Sequence, residues 1–294
     1  MKKYTEKILE NKPDYLFHLA AQSIVLKSYE NPRKTWNTNL IGTMNVLESL
    51  RALNKKCTAI IITSDKCYKN IETKRGYKET DTLGGLDPYS ASKASAEILI
   101  NSYVNSYFSN GKILLCSARA GNVIGGGDWS SYRVVPDCVK STYKNKKTLI
   151  RNPNSTRPWQ HVLEPLSGYI TLALRLNSNT KLHGGSYNFG RIDQKNYKVI
   201  DLIKKMNENW EEIKWKIEKN KKRKYESSLL NLNCQKAKNK LGWINTLNFE
   251  QTVKLTVDWY KNYYENKGDT QQITSDQIDK YTILAKQKHL FWSV

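Results

Sequence analysis

Strands alternating with long helices predict an α/β protein built on a parallel, doubly wound sheet. Three stretches carry that prediction. "CTAIIITSD" (57–65) is a β-branched run of the kind a parallel strand needs when both of its faces are covered. Before it, "NPRKTWNTNLIGTMNVLESLRALN" (31–54) sets Leu40, Met44, Leu47 and Leu50 at helical spacing. After it, "YSASKASAEILINSYVNSYF" (89–108) reads as a second long helix.

The other elements fall around these. "DYLFHLAA" (14–21) reads as a buried strand entering a small-residue turn. "KILLCSARAGNVIG" (112–125) is a third strand that ends in a glycine turn. From about residue 150 the segments shorten to "RPWQHV", "GSYNFG" and a closing helix in "FEQTVKLTVDWYKNYYEN". They predict a smaller mixed α/β lobe over the sheet. The expected division is residues 1–150 for the sheet and 151–294 predominantly for the lobe, with some later segments returning to the sheet.

Hydrophobic residues make up 39% of the 294, enough for a sizeable core. A net charge of +21 invites a nucleic-acid reading. The lysines, however, are scattered from Lys2 to Lys288 among abundant Asn, Ile and Tyr, which is a general bias. No nucleic-acid partner is expected. "KWKIEKNKKRK" (214–224) is denser, and it reads either as a solvated basic loop or helix end or as an anion-binding face. A basic surface also attracts a substrate carrying a diphosphate. Five dispersed cysteines without C-x-x-C argue for free thiols in a reducing compartment, and the four histidines show no metal-ligand spacing. No apolar run approaches the ~20 residues of a membrane span and no signal peptide opens the chain. A cytoplasmic protein with no metal and no membrane partner is expected.

Ligands of doubly wound sheets bind at the carboxyl ends of the strands. "HLAAQS", "TSDKCY" and "RAGNVIGGGDW" all lie there. Tyr89 precedes Lys93 by four residues, so the two share a helix face. Alone, such a pair reads as solvated helix surface, and the neighbours must decide. Ser64, at the end of the second strand, adds to it. A hydroxyl, a phenol and an ammonium at one sheet edge suit proton abstraction from an alcohol. The lysine would lower the tyrosine pKa and the serine would orient the substrate oxygen. Oxidation of that alcohol needs a hydride acceptor, which implies a nicotinamide. Asp65 and Lys66 either cap the turn or form the second acid/base pair that a dehydratase requires.

The segments "FHLAAQS", "TNLIGT", "TSDKCY", "LGGLDPYSASKASAE", "ARAGNVIGGGDW", "IRNP" and "RPWQHVLEPLSGYI" together resemble the CDP-glucose 4,6-dehydratases. These enzymes belong to the extended short-chain dehydrogenase/reductase family. Similarity continues through "YNFG", "LGW" and "TVDWYKNYYENKGD", over essentially the whole chain. The resemblance implies a Rossmann-type domain holding NAD, CDP-glucose as substrate, and a homodimer joined through the two long helices. It implies that Tyr89 takes the C4 hydroxyl proton as hydride leaves C4, and that Lys66 removes the C5 proton. Asp65 then assists loss of the C6 hydroxyl before hydride returns to C6. Related dehydratases carry a glutamate where Lys66 stands. Leu19, Ala20, Ala21 and Gln22 are expected beside the cofactor with Tyr89 and Lys93, and Asn39 is expected to brace the sheet nearby. Asn122 and Arg157 are expected on the diphosphate, Arg157 bidentately. Trp159 and His161 are either packing residues or ligand contacts.

Two departures accompany the resemblance. The family begins with a strand and a glycine-rich turn for the NAD pyrophosphate, and this chain contains no G-x-x-G-x-x-G. Roughly 60–70 residues of the pattern precede the first matching helix. An N-terminally incomplete sheet with an exposed edge and apolar face is therefore expected. A late start codon, a split or decaying gene, and completion by another chain all remain open. The second departure is Leu26, followed by Lys27, where the family tends to have an arginine. Alternative readings are another nucleotide-sugar dehydratase or epimerase, or an inactive sugar-nucleotide-binding protein.

Overall fold

The computed structural model describes residues 2–73, 75–218, 230–265 and 269–293. Its first part alternates helix and strand: α1 (Lys2–Asn11), β1 (Tyr15–His18), α2 (Val25–Glu30), α3 (Pro32–Trp36), α4 (Gly42–Ala52), β2 (Cys57–Ile62), α5 (Pro88–Tyr107) and β3 (Ile113–Ala120). Next come β4 (Val123–Ile124), α6 (Val134–Tyr143), β5 (Thr148–Ile150), β6 (Thr156–Arg157), β7 (Gln160–His161), α7 (Leu163–Ser178) and β8 (Ser186–Phe189). The last elements are β9 (Tyr197–Lys198), α8 (Val199–Asn209), β10 (Trp215–Ile217), α9 (Gln235–Leu241), α10 (Phe249–Tyr264) and α11 (Thr270–Gln287).

The central sheet has four strands in the order β1-β2-β3-β8, all parallel. Alternation along β2 sends Ala59 and Ile61 to one face and Ile60 to the other. On the first face they meet Leu47 and Leu50 of α4 and Ile100 of α5. On the second, Ile60 and Leu114 meet Leu172 and Leu176 of α7 and Leu241 of α9. Helices on both faces make the sheet doubly wound, as the strand–helix alternation predicts. A second core joins Val135 and Val139 of α6, Leu202 and Met206 of α8, and Val253 and Val257 of α10. No helix among the described residues is long and apolar enough to cross a membrane.

Two local features set up the site. Asp87 caps α5 by accepting the Ser90 amide hydrogen at 3.0 Å, with Pro88 at the first helical position. That cap fixes Tyr89 in the first turn. The helical run at 31–54 is broken by a π turn over Asn37–Ile41, which buries the Asn39 side chain.

The expectation of a buried strand at 14–21 is corrected. β1 covers only Tyr15–His18, and Tyr15, Phe17 and Leu19 are 38%, 39% and 49% exposed. The reason is position: α7 stands over β2 and β3, so the outward face of the edge strand has no cover. Among the described residues no strand pairs with its outer edge.

The glycine turn after β3 is built for close packing. A Cβ at Gly126 would stand 2.0 Å from Trp259 Cγ, on the body of α10. Gly126→Ala is expected to cost ~1–3 kcal/mol through overpacking. Urea denaturation of the two proteins side by side would measure it.

Candidate functional site

A cavity of about 850 Å³ opens at the carboxyl ends of β2 and β3, between the sheet and the second core. Ser64, Asp65, Lys66 and Tyr89 stand on its sheet side, and Asn122 follows β3. Arg157 and Trp159 reach it from the second lobe. Leu19, Ala20, Ala21, Gln22, Asn39 and Lys93 are not on this wall.

The wall is ordered from β2 outward. Ser64 caps the short turn Asp65–Cys67: its Oγ accepts the Lys66 amide hydrogen at 3.2 Å and donates to Asp65 Oδ1 at 2.9 Å. Capping and a place on the cavity therefore coexist in this turn. Asp65 is buried, and its Oδ2 has no hydrogen-bond partner among the described residues. Such an orphaned acceptor at a cavity wall is suited to a ligand hydroxyl. Lys66 is half-buried beside it.

Tyr89 is buried beside Ser64. Burial pushes the phenol up to about 12, opposed by the neighbouring Ser64 hydroxyl and the nearby charge of Arg133. The expected lowering by Lys93 is not what the structure shows. Lys93 Nζ points beneath the strand and donates to the Ile62 carbonyl at 3.2 Å. Burial brings Lys93 itself down to about 8, opposed by Glu97 and Cys67.

The residues expected at the cofactor form a separate cluster at the end of β1. Asn39 Oδ1 accepts the Gln22 amide hydrogen at 2.8 Å, and its Nδ2 donates to the Gln22 carbonyl at 3.1 Å and to Ser92 Oγ of α5 at 2.9 Å. One side chain thus locks the 19–22 stretch to the helix that carries Tyr89 and Lys93. The Gln22 side chain is committed locally, to the Ile24 amide and to Thr35. Leu19 and Ala20 are exposed.

On the far wall Arg157 is buried, its Nη1 donating to the Thr156 carbonyl at 2.8 Å. Buried Asn122 Oδ1 and Trp159 Nε1 have no partner among the described residues. His161 is buried off the wall, with Nδ1 accepting the Leu163 amide hydrogen at 3.3 Å. Burial lowers it to about 4.

Some cavity residues were not singled out in the sequence, Arg151 and Arg133 among them. Arg133, at the end of the loop "GGGDWSSYR", lies on the cavity wall and donates to Ser23 Oγ at 3.0 Å from the opposite side. Leu26 is also on the wall, whereas the exposed Lys27 is not, so the guanidinium on this side comes from Arg133. Its only sequence signal was its place just beyond the glycine turn. In the basic stretch, residues 215–217 form β10, paired with β5, rather than a loop or helix end, and 219–224 lie outside the described residues.

Residues 2–256 match the family described as GDP-mannose 4,6 dehydratase. A CDP-glucose 4,6-dehydratase of Salmonella typhimurium is 41% identical over 265 residues, covering 88% of this chain and 74% of that protein. An epimerase of Methanothermobacter thermautotrophicus shares the fold with a TM-score of 0.79 at 22% identity, over 90% of this chain and 77% of that one. The UDP-glucose 4-epimerase of Thermus thermophilus, solved in complex with NAD, does so at 0.76 and 22%, over 88% and 81%.

The depressed His161 gives a pH dependence of known sign. The unfolded chain takes up this proton near 6.5 and the folded chain only near about 4. Stability is therefore full above pH 6.5 and falls by roughly 3 kcal/mol as the pH drops toward 4. His161→Asn, which retains an acceptor for Leu163, should remove this share of the decline in denaturation curves taken across the range, leaving the share of His18, which burial also lowers to about 4.

Proposed function

Because the chain belongs to the GDP-mannose 4,6-dehydratase family, we propose that it is a nucleotide-sugar 4,6-dehydratase converting CDP-glucose to CDP-4-keto-6-deoxyglucose. The observation that carries this reading is that Tyr89, Ser64, Asp65 and Lys66 share one cavity wall, faced by Arg157 and Arg133. The choice of CDP-glucose among sugar nucleotides is supported by the Salmonella relative.

Residues of this chain suit the reacting end of NAD. Ala20 leaves the carboxyl end of β1 open, Asn39 fixes the Gln22 peptide, and Lys93 lies buried on the adjoining helix. NAD supplies an acceptor for the C4 hydride and a donor for its return to C6. Tyr89 takes the C4 hydroxyl proton, and the neighbouring Ser64 hydroxyl orients the sugar oxygen. Burial holds the phenol high, so the Arg133 cation must favour the phenolate when substrate excludes water. The 4-keto group acidifies C5. Lys66 removes that proton and returns it to C5 as hydride reaches C6, and Asp65, whose Oδ2 has no partner among the described residues, delivers a proton to the departing C6 hydroxyl. Arg157, Asn122 and Arg133 hold the diphosphate.

In this reading residues 1–150 hold the cofactor and the reacting groups, and residues 151–294 form the predominantly substrate-binding lobe, adding Arg157 and Trp159 to the cavity wall. Ile98 and Tyr107, 61% and 48% exposed on α5, support a homodimer formed across the long helices. Five free, buried cysteines support a cytoplasmic setting.

With NAD present, CDP-glucose is expected to lose one water, and at least about tenfold faster in kcat/KM than UDP- or dTDP-glucose. Preference for a UDP-sugar would overturn the substrate. Tyr89→Phe should reduce kcat by ~10²–10⁴ while CDP binding, followed by calorimetry, is retained.

A further inference from the structure

Glu97 lies one turn beyond Lys93 and two beyond Tyr89 on the same face of α5, and the chemistry above makes no use of it. Its side chain is buried, yet both oxygens are engaged. Oε1 accepts the Thr63 hydroxyl, while Oε2 accepts Ser117 Oγ at 2.8 Å, Arg119 Nη2 at 2.7 Å and Ser186 Oγ at 3.2 Å. A buried ion pair is weak evidence for a stability role, because apolar replacements are often neutral or better. What distinguishes this one is where its partners lead.

Thr63 directly precedes Ser64, whose hydroxyl meets Tyr89 and caps the turn of Asp65 and Lys66. The residue before Thr63, Ile62, is held through its carbonyl by Lys93. Two successive residues at the end of β2 are therefore gripped from α5, one by each charge. Electrostatics points the same way. The groups facing Lys93 are Glu97 on its own helix, Cys67 on the turn after β2, and His18 at the end of β1. Burial keeps the Cys67 thiol protonated and the His18 ring neutral, so Glu97 is the anion facing Lys93 among the described residues.

We propose that Glu97 is a positioning residue of the dehydratase reaction, keeping Lys93 charged and holding the Thr63–Lys66 turn in register with Tyr89. Its consequence for turnover rests on the proposed reaction, but the charge on Lys93 does not. The test is an NMR titration of the full chain labelled with ¹³C at lysine Cε, with Lys93→Met identifying the signal. Glu97→Gln is expected to lower the Lys93 titration midpoint by at least about one pH unit, and Glu97→Asp to restore most of it. An unchanged midpoint in folded Glu97→Gln would overturn the charge role. If that variant does not fold, Glu97→Gln/Arg119→Gln removes the orphaned guanidinium and is read in the same way. Thr63→Val probes the turn alone: kcat for CDP-glucose should fall about tenfold with KM and the Lys93 midpoint unchanged. Unaltered kcat would overturn the turn role. Absence of turnover in every protein, wild type included, would sink the reaction assignment and leave the titration to decide on Glu97.

Discussion

Arg119 and Glu97 meet at 2.7 Å with almost no access to water, their side chains 3% and 2% exposed. Once two charges are buried together neither can leave alone, since an uncompensated partner costs about 3–5 kcal/mol. Around the pair the structure has few degrees of freedom. Arg119 also donates to Tyr68 Oη at 2.8 Å, and Tyr68 donates to Asn188 of β8 at 2.7 Å. Helix α5, strands β3 and β8, and the turn after β2 are joined at one polar node inside an apolar core. Tyr89 rides on that helix and Ser64 on that strand end, so the distance between them is inherited from the node.

The opposite wall has a different foundation. Gly126 lies on Trp259, and Trp129 packs against Tyr260 and Tyr263 with ring centroids 5.4 and 4.9 Å apart. Tyr260 Oη donates to the Asp128 carbonyl at 2.7 Å. The loop that delivers Arg133 is thus seated on α10 by aromatic packing and one hydrogen bond. Its guanidinium then crosses to Ser23 on the sheet side. Each wall is rigid for its own reason, and the cavity is the space left where the two meet.

What was legible in the sequence follows from what is local. The β-branched run of β2, the helix of 89–108 and the four-residue step from Tyr89 to Lys93 are properties of short segments, and each reads directly. The burial of β1 depends on whether a neighbour covers it, which "DYLFHLAA" does not state. The π turn at 37–41 leaves the helical spacing of apolar residues almost intact, so nothing local announces the inward turn of Asn39. Arg133 is one cation in a lysine-rich chain, and its place beside Tyr89 is made by packing of the second lobe. The direction of the Tyr89 shift is likewise non-local, because it reports how many atoms exclude water from the phenol.

The chain does not complete one core before starting the other. It builds most of the sheet by residue 120, leaves for the second core with Ile124 to Trp159, and returns with Tyr169 to Phe189. It leaves again with Leu202 to Ile213, returns with Leu230 to Trp243, and joins the second core once more with Phe249 to Tyr260 before Tyr281 of α11 meets α7. A gene joined to another at a single crossover point within these segments would split at least one core. Inheritance of a foreign substrate wall would need three separate segments exchanged together. New sugar preferences in this architecture are therefore reached by point changes along the cavity and not by trading modules.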